Sequence, residues 1–362
     1  GPLESLAPAM QQGAEMAMKE VSESGLLLDG TTVTPVTGDS TCIDAAAATA
    51  TVERLIASEG VKGIIGGMCS GETIASLENV AKTNGIVMIS PSATSPALST
   101  IEDDGLFFRT SPSDARQGEV MADILMERGV ETVAVTYTNN DYGKGLADSF
   151  QAAYEAKGGT VTVNSAHDDG KADYSAEVAA LAAAGGDALV VAGYVDQGGS
   201  GVVRAALDTG AFETFVFPDG MVGTALETNF GTEIDGSFGQ NPAAEGEGRD
   251  KYLSMAEEAG FDGSGAFSAE AYDAAALIML AMAKAGSTDP ASYKGSIMDV
   301  ANEPGEKILP GDLAKALEII NGGGDVDYVG ATAVEMVGAG ESAGSYREIQ
   351  FTDGKIEVVG YR

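Results

Sequence analysis

Histidine occurs once in these 362 residues, cysteine twice, and lysine plus arginine total 20 against 55 aspartates and glutamates. Each shortage removes a class of function. The single histidine, His167, lies in the polar run HDDGKADYS and reads as a solvated strand end. With no second histidine, a Cys–His nucleophile or an imidazole-rich metal site has little to draw on. The formal charge of −35 excludes nucleic acid and anionic lipid as partners, because both demand basic surface. It reads as a solvated acidic coat suited to a salty medium, where salt screens the self-repulsion. No apolar run reaches the length of a membrane span. Also missing are GxGxxG at a strand-to-helix turn, GxxxxGK[ST], HExxH and GxSxG. Gly198-Gly199-Ser200-Gly201 reads as a tight turn rather than a phosphate cradle, and Asp168, Asp169 and Asp173 as an acidic loop rather than a metal site. No cofactor is called for, and the chemistry expected is recognition.

What is present is a chain with 44% hydrophobic residues and a mean hydropathy of +0.03, long enough for two domains with cores of their own. The stretch Cys69–Pro96 organises the first. Gly63–Met68 reads as a buried strand, Ser70-Gly71-Glu72-Thr73 as a turn and helix cap, and Ile74, Leu77, Val80 and Ala81 as one helical face. Ile86–Ile89 is the next strand, emptying into Ser90-Pro91-Ser92-Ala93-Thr94. In an open parallel sheet ligands bind outside the carboxyl ends of the strands, and a helix N-terminus there offers N–H groups to an anion such as a carboxylate. Val33–Val36 is expected to be a strand as well.

Thr110–Asp114, kinked by Pro112, reads as a first crossover. A second β-α-β series follows: strands Thr132–Thr136, Thr160–Asn164, Ala188–Ala192 and Thr214–Phe217, with helices of 10–15 residues between them. Tyr142, Tyr194 and Asp219 each stand at the carboxyl end of one of these strands. The glycine-rich 231–248 region marks a second crossover, and the helices beyond it return to the first domain. Thr332–Val337 reads as strand-like and is expected at a third crossover and the edge of the second domain. Asp353-Gly354 is expected to turn a terminal hairpin.

Nine motifs, in order, resemble the leucine/isoleucine/valine-binding proteins: GPLESLAPAMQQGAEMA (1–17), GDSTCIDAAAA (38–48), CSGET (69–73), GIVMISPSATSP (85–96), FFRTSPSDARQG (107–118), NNDYGKGLADSF (139–150), ADYSAEVAAL (172–181), VVAGYVDQGG (190–199) and FPDG (217–220). The resemblance covers most of the first 240 residues. It implies an α/β fold of two doubly wound parallel-sheet lobes joined by three hinge crossovers, residues 1–112 and 243–331 forming one lobe and 113–242 and 332–362 the other. The family pattern also has a strand and a signal peptide before Gly1, neither of which is in this sequence.

The resemblance further implies a periplasmic solute receptor, an expected monomer, that hands an amino acid to the membrane permease subunits of an ABC transporter. Amides, urea or aromatic carboxylates are the alternative ligands, and a cytosolic ligand-sensing regulator the alternative role. It implies a disulfide between Cys42 and Cys69. Its binding positions fall on Ser70 and Thr94, whose hydroxyls would hold a carboxylate, and on Ser92 and Ala93, which would lend backbone groups. Tyr142 and Tyr194 would cover the ligand. Asp219, facing the carboxylate loops across the cleft, would take the ammonium of a zwitterion, with Leu3 to Leu6 lining the walls.

Overall fold

The computed structural model describes all 362 residues. Its first sheet begins with three short parallel strands, β1 (Ile64–Ile65), β2 (Met88–Ser90) and β3 (Phe107–Arg109), of which β2 and β3 are wholly buried. The helix before β1, Ala45–Ala57, is capped by Asp44, whose carboxylate accepts the Ala46 and Ala47 N–H groups. The helix between β1 and β2 starts at Ser70. Glu72 reaches back to the Cys69 N–H, satisfying a donor that helix geometry leaves free. After β3 the chain crosses at Thr110–Ser113 into a helix, Asp114–Glu127, that opens the second half.

That half is a continuous βα alternation: β4 (Thr132–Thr138), β5 (Thr160–His167), β6 (Ala188–Ala192), β7 (Phe215–Phe217) and β8 (Phe238–Pro242) are parallel and ordered β8-β7-β6-β4-β5. The chain then packs helix Ser268–Ala285 against helix Ala7–Ser24 and the first sheet. It adds a two-stranded ladder, β9 (Glu306–Ile308) with β10 (Val326–Tyr328). Asp273, inside the long helix, accepts hydrogen bonds from the Tyr328 hydroxyl (2.7 Å), the Ala331 N–H (2.8 Å), the Thr332 N–H (2.9 Å) and the Thr332 hydroxyl (2.6 Å), pinning the segment that leaves β10.

Two strands that follow, β11 (Met336–Val337) and β12 (Glu341–Ser342), complete the first sheet in the order β1-β2-β3-β12-β11. The hairpin β13 (Tyr346–Thr352) and β14 (Lys355–Tyr361) adds antiparallel to β8 and completes the second. Asp353 and Gly354 both take positive φ, the backbone a two-residue hairpin turn of this hand requires. The disulfide between Cys42 and Cys69 is formed.

The structure corrects four expectations. Val33–Val36 is irregular: its β-branched residues suit a strand, but no neighbour pairs with it. Met336–Ser342, assigned to the second lobe's portion 332–362, instead pairs with β3 in the first sheet, so the chain's last crossing lies between β12 and β13. The 231–248 region contains β8, a buried strand whose sequence FGQNP carries glycine, proline and two amides in place of the usual strand formers. His167 is buried, its Nδ1 2.8 Å from the Thr136 hydroxyl, rather than solvated.

Candidate functional site

The loops at the carboxyl ends of β1 and β2 lie against those that follow β4, β6 and β7, and each side is built differently. On the first side, the loop after β2 is stitched to the loop after β1. The Ser90 hydroxyl donates to the Gly67 carbonyl (2.6 Å), the Ser92 hydroxyl donates to the Met68 carbonyl (2.8 Å), and the Ser95 N–H donates to Ser70 Oγ (3.0 Å). Ser70 therefore still has a hydroxyl proton to give. Ser92 and Ala93, expected to lend backbone donors to a ligand, turn their N–H groups inward onto Ser90 Oγ (3.3 and 2.9 Å). Thr94 Oγ1 is buried with no partner.

On the second side, Tyr142 occupies the first turn of helix Asp141–Ala156, where Asn140 caps by accepting the Gly143 N–H. The Tyr142 hydroxyl donates to Asp219 Oδ1 (2.6 Å) and accepts from the Gly220 N–H (3.1 Å). Burial, then the charges of Asp219 and Asp114, hold that phenol far above its ordinary pKa, so it stays a donor. Its ring stacks on Tyr194 at 5.1 Å between centroids, and Asn140 Nδ2 reaches the Tyr194 hydroxyl (3.3 Å).

The two sides touch. The Ser95 hydroxyl donates to the Asp141 carbonyl (3.1 Å), the Ser5 N–H to Asp196 Oδ2 (2.7 Å), and the Asp196 N–H to the Pro2 carbonyl (3.1 Å). Leu3 and Leu6, flanking that contact, are buried.

Sequence reasoning missed the most telling residue. Asp114 opens the helix that follows the first crossover, and its carboxylate is fully buried with neither oxygen hydrogen-bonded. One helical turn on, Gln117 is also buried with both amide atoms unpartnered, as are the Ser111 and Tyr346 hydroxyls. Burial pushes the Asp114 carboxyl well above the carboxylate range. The charge of Asp219 pushes it further, against the Thr94 hydroxyl, which lies near without hydrogen-bond geometry, and Arg109. Asp219 is raised too, by burial, against the bond from Tyr142 and the nearby Gly220 N–H and Gln117 amide, the amide again lying close without hydrogen-bond geometry. An aspartate in a helix's first turn is ordinary, so no local pattern signals the burial of Asp114.

Two buried, mutually repelling carboxylates, beside the unpartnered Gln117 amide and the Thr94, Ser111 and Tyr346 hydroxyls, form a polar cluster with no free cation among its members. Of the other acids considered, Asp169 accepts the Gly198 N–H and the Thr138 hydroxyl, and Asp173 caps Ser175. Both are thereby engaged in shaping turns.

Residues 1–303 match the family model described as periplasmic binding protein. The chain belongs to the periplasmic binding protein family. Within it, the chain is 30% identical over 293 residues to the leucine-, isoleucine-, valine-, threonine- and alanine-binding protein of Pseudomonas aeruginosa, covering 80% of this chain and 77% of that one. It is 28% identical to the chemotactic signal transduction system substrate-binding protein BasB of Halobacterium salinarum, covering 99% of this chain and 86% of that one. The fold is that of LivJ from Streptococcus pneumoniae, solved in complex with isoleucine. The TM-score is 0.80 at 21% identity, covering 99% of this chain and 95% of that one. In this periplasmic binding protein the loops at the ends of the two sheets are in contact, and two buried aspartates, Asp114 and Asp219, stand beside that contact.

Proposed function

We propose that the protein is an extracytoplasmic receptor for an α-amino acid, with branched aliphatic ones first in line, serving the membrane subunits of an ABC importer. The observation that carries the reading is the orphaned acceptor set. An α-ammonium has three N–H donors; Asp114 and Thr94 Oγ1 are buried acceptors without partners, and the buried Asp219, held on one oxygen by Tyr142, adds a second carboxylate beside them. The ligand carboxylate then falls to Ser70 Oγ and the N-terminus of the helix it opens, where unpaired N–H groups favour an anion. A zwitterion thus meets acid at its positive end and donors at its negative end. The stacked Tyr142 and Tyr194, with Leu3 and Leu6, provide apolar walls for an aliphatic side chain. The names of the Pseudomonas and Streptococcus proteins point to the same ligand class.

Binding takes place without chemical change to the ligand, and closure of the lobes completes contacts that neither makes alone. The receptor works in an oxidising compartment, as the Cys42–Cys69 bond suits. A thermal-shift panel of amino acids, the matching 2-oxo acids, amides and aromatic acids tests the reading. A ligand at a hundred times its Kd adds about 2.7 kcal/mol of stability, an easily read shift. Leucine, isoleucine or valine should give it. A response confined to amides, urea or aromatic carboxylates would replace the amino-acid reading.

A further inference from the structure

Arg109 is the largest side chain wholly buried in the protein, and it lies at the end of β3, beside the ligand loop rather than in it. Its guanidinium is used at both ends. One terminal nitrogen donates to the carbonyls of Ala93 (3.0 Å) and Ser95 (2.9 Å), the two residues flanking Thr94. The other terminal nitrogen donates to Glu341 Oε2 (2.5 Å) and Ser99 Oγ (2.7 Å), and Nε donates to the same Glu341 oxygen (3.2 Å). Ser99 closes the ring by donating to Glu341 Oε2 (2.6 Å). Glu341 sits directly opposite Arg109 across the β3–β12 ladder, so the pair is a cross-strand one fixed by sheet register. The Thr94 carbonyl is held as well, by the Asp114 N–H (2.8 Å).

Three consecutive carbonyls of the loop are therefore pinned, and the Thr94 N–H and hydroxyl are the groups left to meet a ligand. From this we infer that Arg109, anchored by Glu341, is a positioning residue for ligand binding, setting Thr94 against the cleft without touching the ligand. A planar fork is needed for this task, since a lysine ammonium is a point charge and cannot hold two carbonyls and a carboxylate in one plane. The inference rests on the amino-acid reading of the site for its affinity arm and is independent of it for its structural arm.

The structural arm is amide hydrogen exchange on the ligand-free protein, comparing wild type, Arg109→Lys and Glu341→Gln. Exchange should rise in residues 90–99 and stay unchanged in the second sheet. Unchanged exchange in 90–99 in both variants overturns the inference, whatever the ligand is. The affinity arm is a calorimetric double-mutant cycle with leucine over Arg109→Lys and Thr94→Val. Each single change should raise Kd by about 10- to 100-fold, the weight of a hydrogen bond to a charged group. If Arg109 acts through Thr94, the double variant binds within about threefold of the weaker single one. Multiplicative losses would mean that Arg109 merely supports the fold, and would sink the positioning role. Wild type that binds no amino acid at all would instead sink the functional reading, with the exchange arm still deciding on Arg109.

Discussion

Replacing Asp219 by asparagine separates the ammonium-binding role of this residue from a purely structural one, because the two roles push affinity and stability in different directions. In Asp219→Asn the new amide's carbonyl oxygen can still accept the Tyr142 hydroxyl bond that Asp219 Oδ1 now takes at 2.6 Å, so the loop keeps its shape. What is lost is a charge. Truncating one partner of a desolvated ion pair costs about 2–5 kcal/mol. Here Asp114 remains beside the ammonium as a second carboxylate, so the loss belongs at the lower end. About 2–3 kcal/mol is a Kd for leucine raised about 30- to 150-fold.

In the absence of ligand the same change should help. Asp219 is desolvated, and its pKa is raised in the folded state. The folded protein therefore binds its proton more tightly than the unfolded chain, and ionising Asp219 at neutral pH costs stability. Removing that charge also relieves Asp114, which its neighbour's charge pushes upward. The ligand-free melting temperature should rise by about 1–3 °C, given the unfolding entropy of a chain this long. Isothermal calorimetry with leucine and with its 2-oxo acid, together with differential scanning calorimetry of the ligand-free proteins, reads both effects. The 2-oxo acid, which brings no cation, should bind the variant no worse than the wild type and perceptibly better. Equal small losses for both ligands, with a melting point that falls, would refute the reasoning and leave Asp219 as a turn residue.

Other outcomes follow from the same geometry. Leucine affinity should fall on acidification at a pH above the usual carboxylate range, because Asp219 protonates early, while 2-oxo acid affinity rises. A calorimetric pH series flat down to the ordinary aspartate range would contradict it. Glu270, buried in the helix against the first sheet, is held at about 7 chiefly by burial, so its ionisation weakens the fold as pH climbs from about 4.5 to about 7. Urea unfolding should find Glu270→Gln equal to wild type near the low end and more stable by about 3 kcal/mol above the high end. Reducing the disulfide, which spans a sequence separation of 27 residues, should cost about 3–4 kcal/mol by loop entropy and lower the melting temperature without abolishing leucine binding. Two thiols alkylated in native, unreduced protein would show that the bond does not form. Small-angle scattering should give a smaller radius of gyration with saturating leucine than without it, and an identical pair of curves would argue against closure.

The second half of the chain was legible because it obeys simple rules: β-branched runs such as Ala188–Ala192 alternate with helices of regular length, and the hairpin turn carries Asp-Gly. The hidden strands share a cause. β9, β10 and β12 are two or three residues long, and β8 is built from glycine, amides and proline. Such segments become strands because neighbours with free ladder groups await them, which no local pattern records. Val33–Val36 is the converse, a good local pattern with no partner. For the candidate site, the places of Ser70, Thr94, Tyr142, Tyr194 and Asp219 just after strands could be read from the sequence. Asp114 and Gln117 could not, since what marks them is burial without partners. Arg109 was visible only as the end of a short strand, because its importance lies in joining residues 93, 95 and 341.

The strands that finish both sheets, β11 and β12 for the first and β13 and β14 for the second, are synthesised after every strand they pair with outside their own hairpins. A ribosome that has reached residue 335 has thus made two sheets with open edges at β3 and β8, neither able to close. Such edges recruit other chains readily. A chain cut before residue 336 therefore presents two bare strand edges to its neighbours, and loss of β11–β14 should turn this protein into one that associates with other chains.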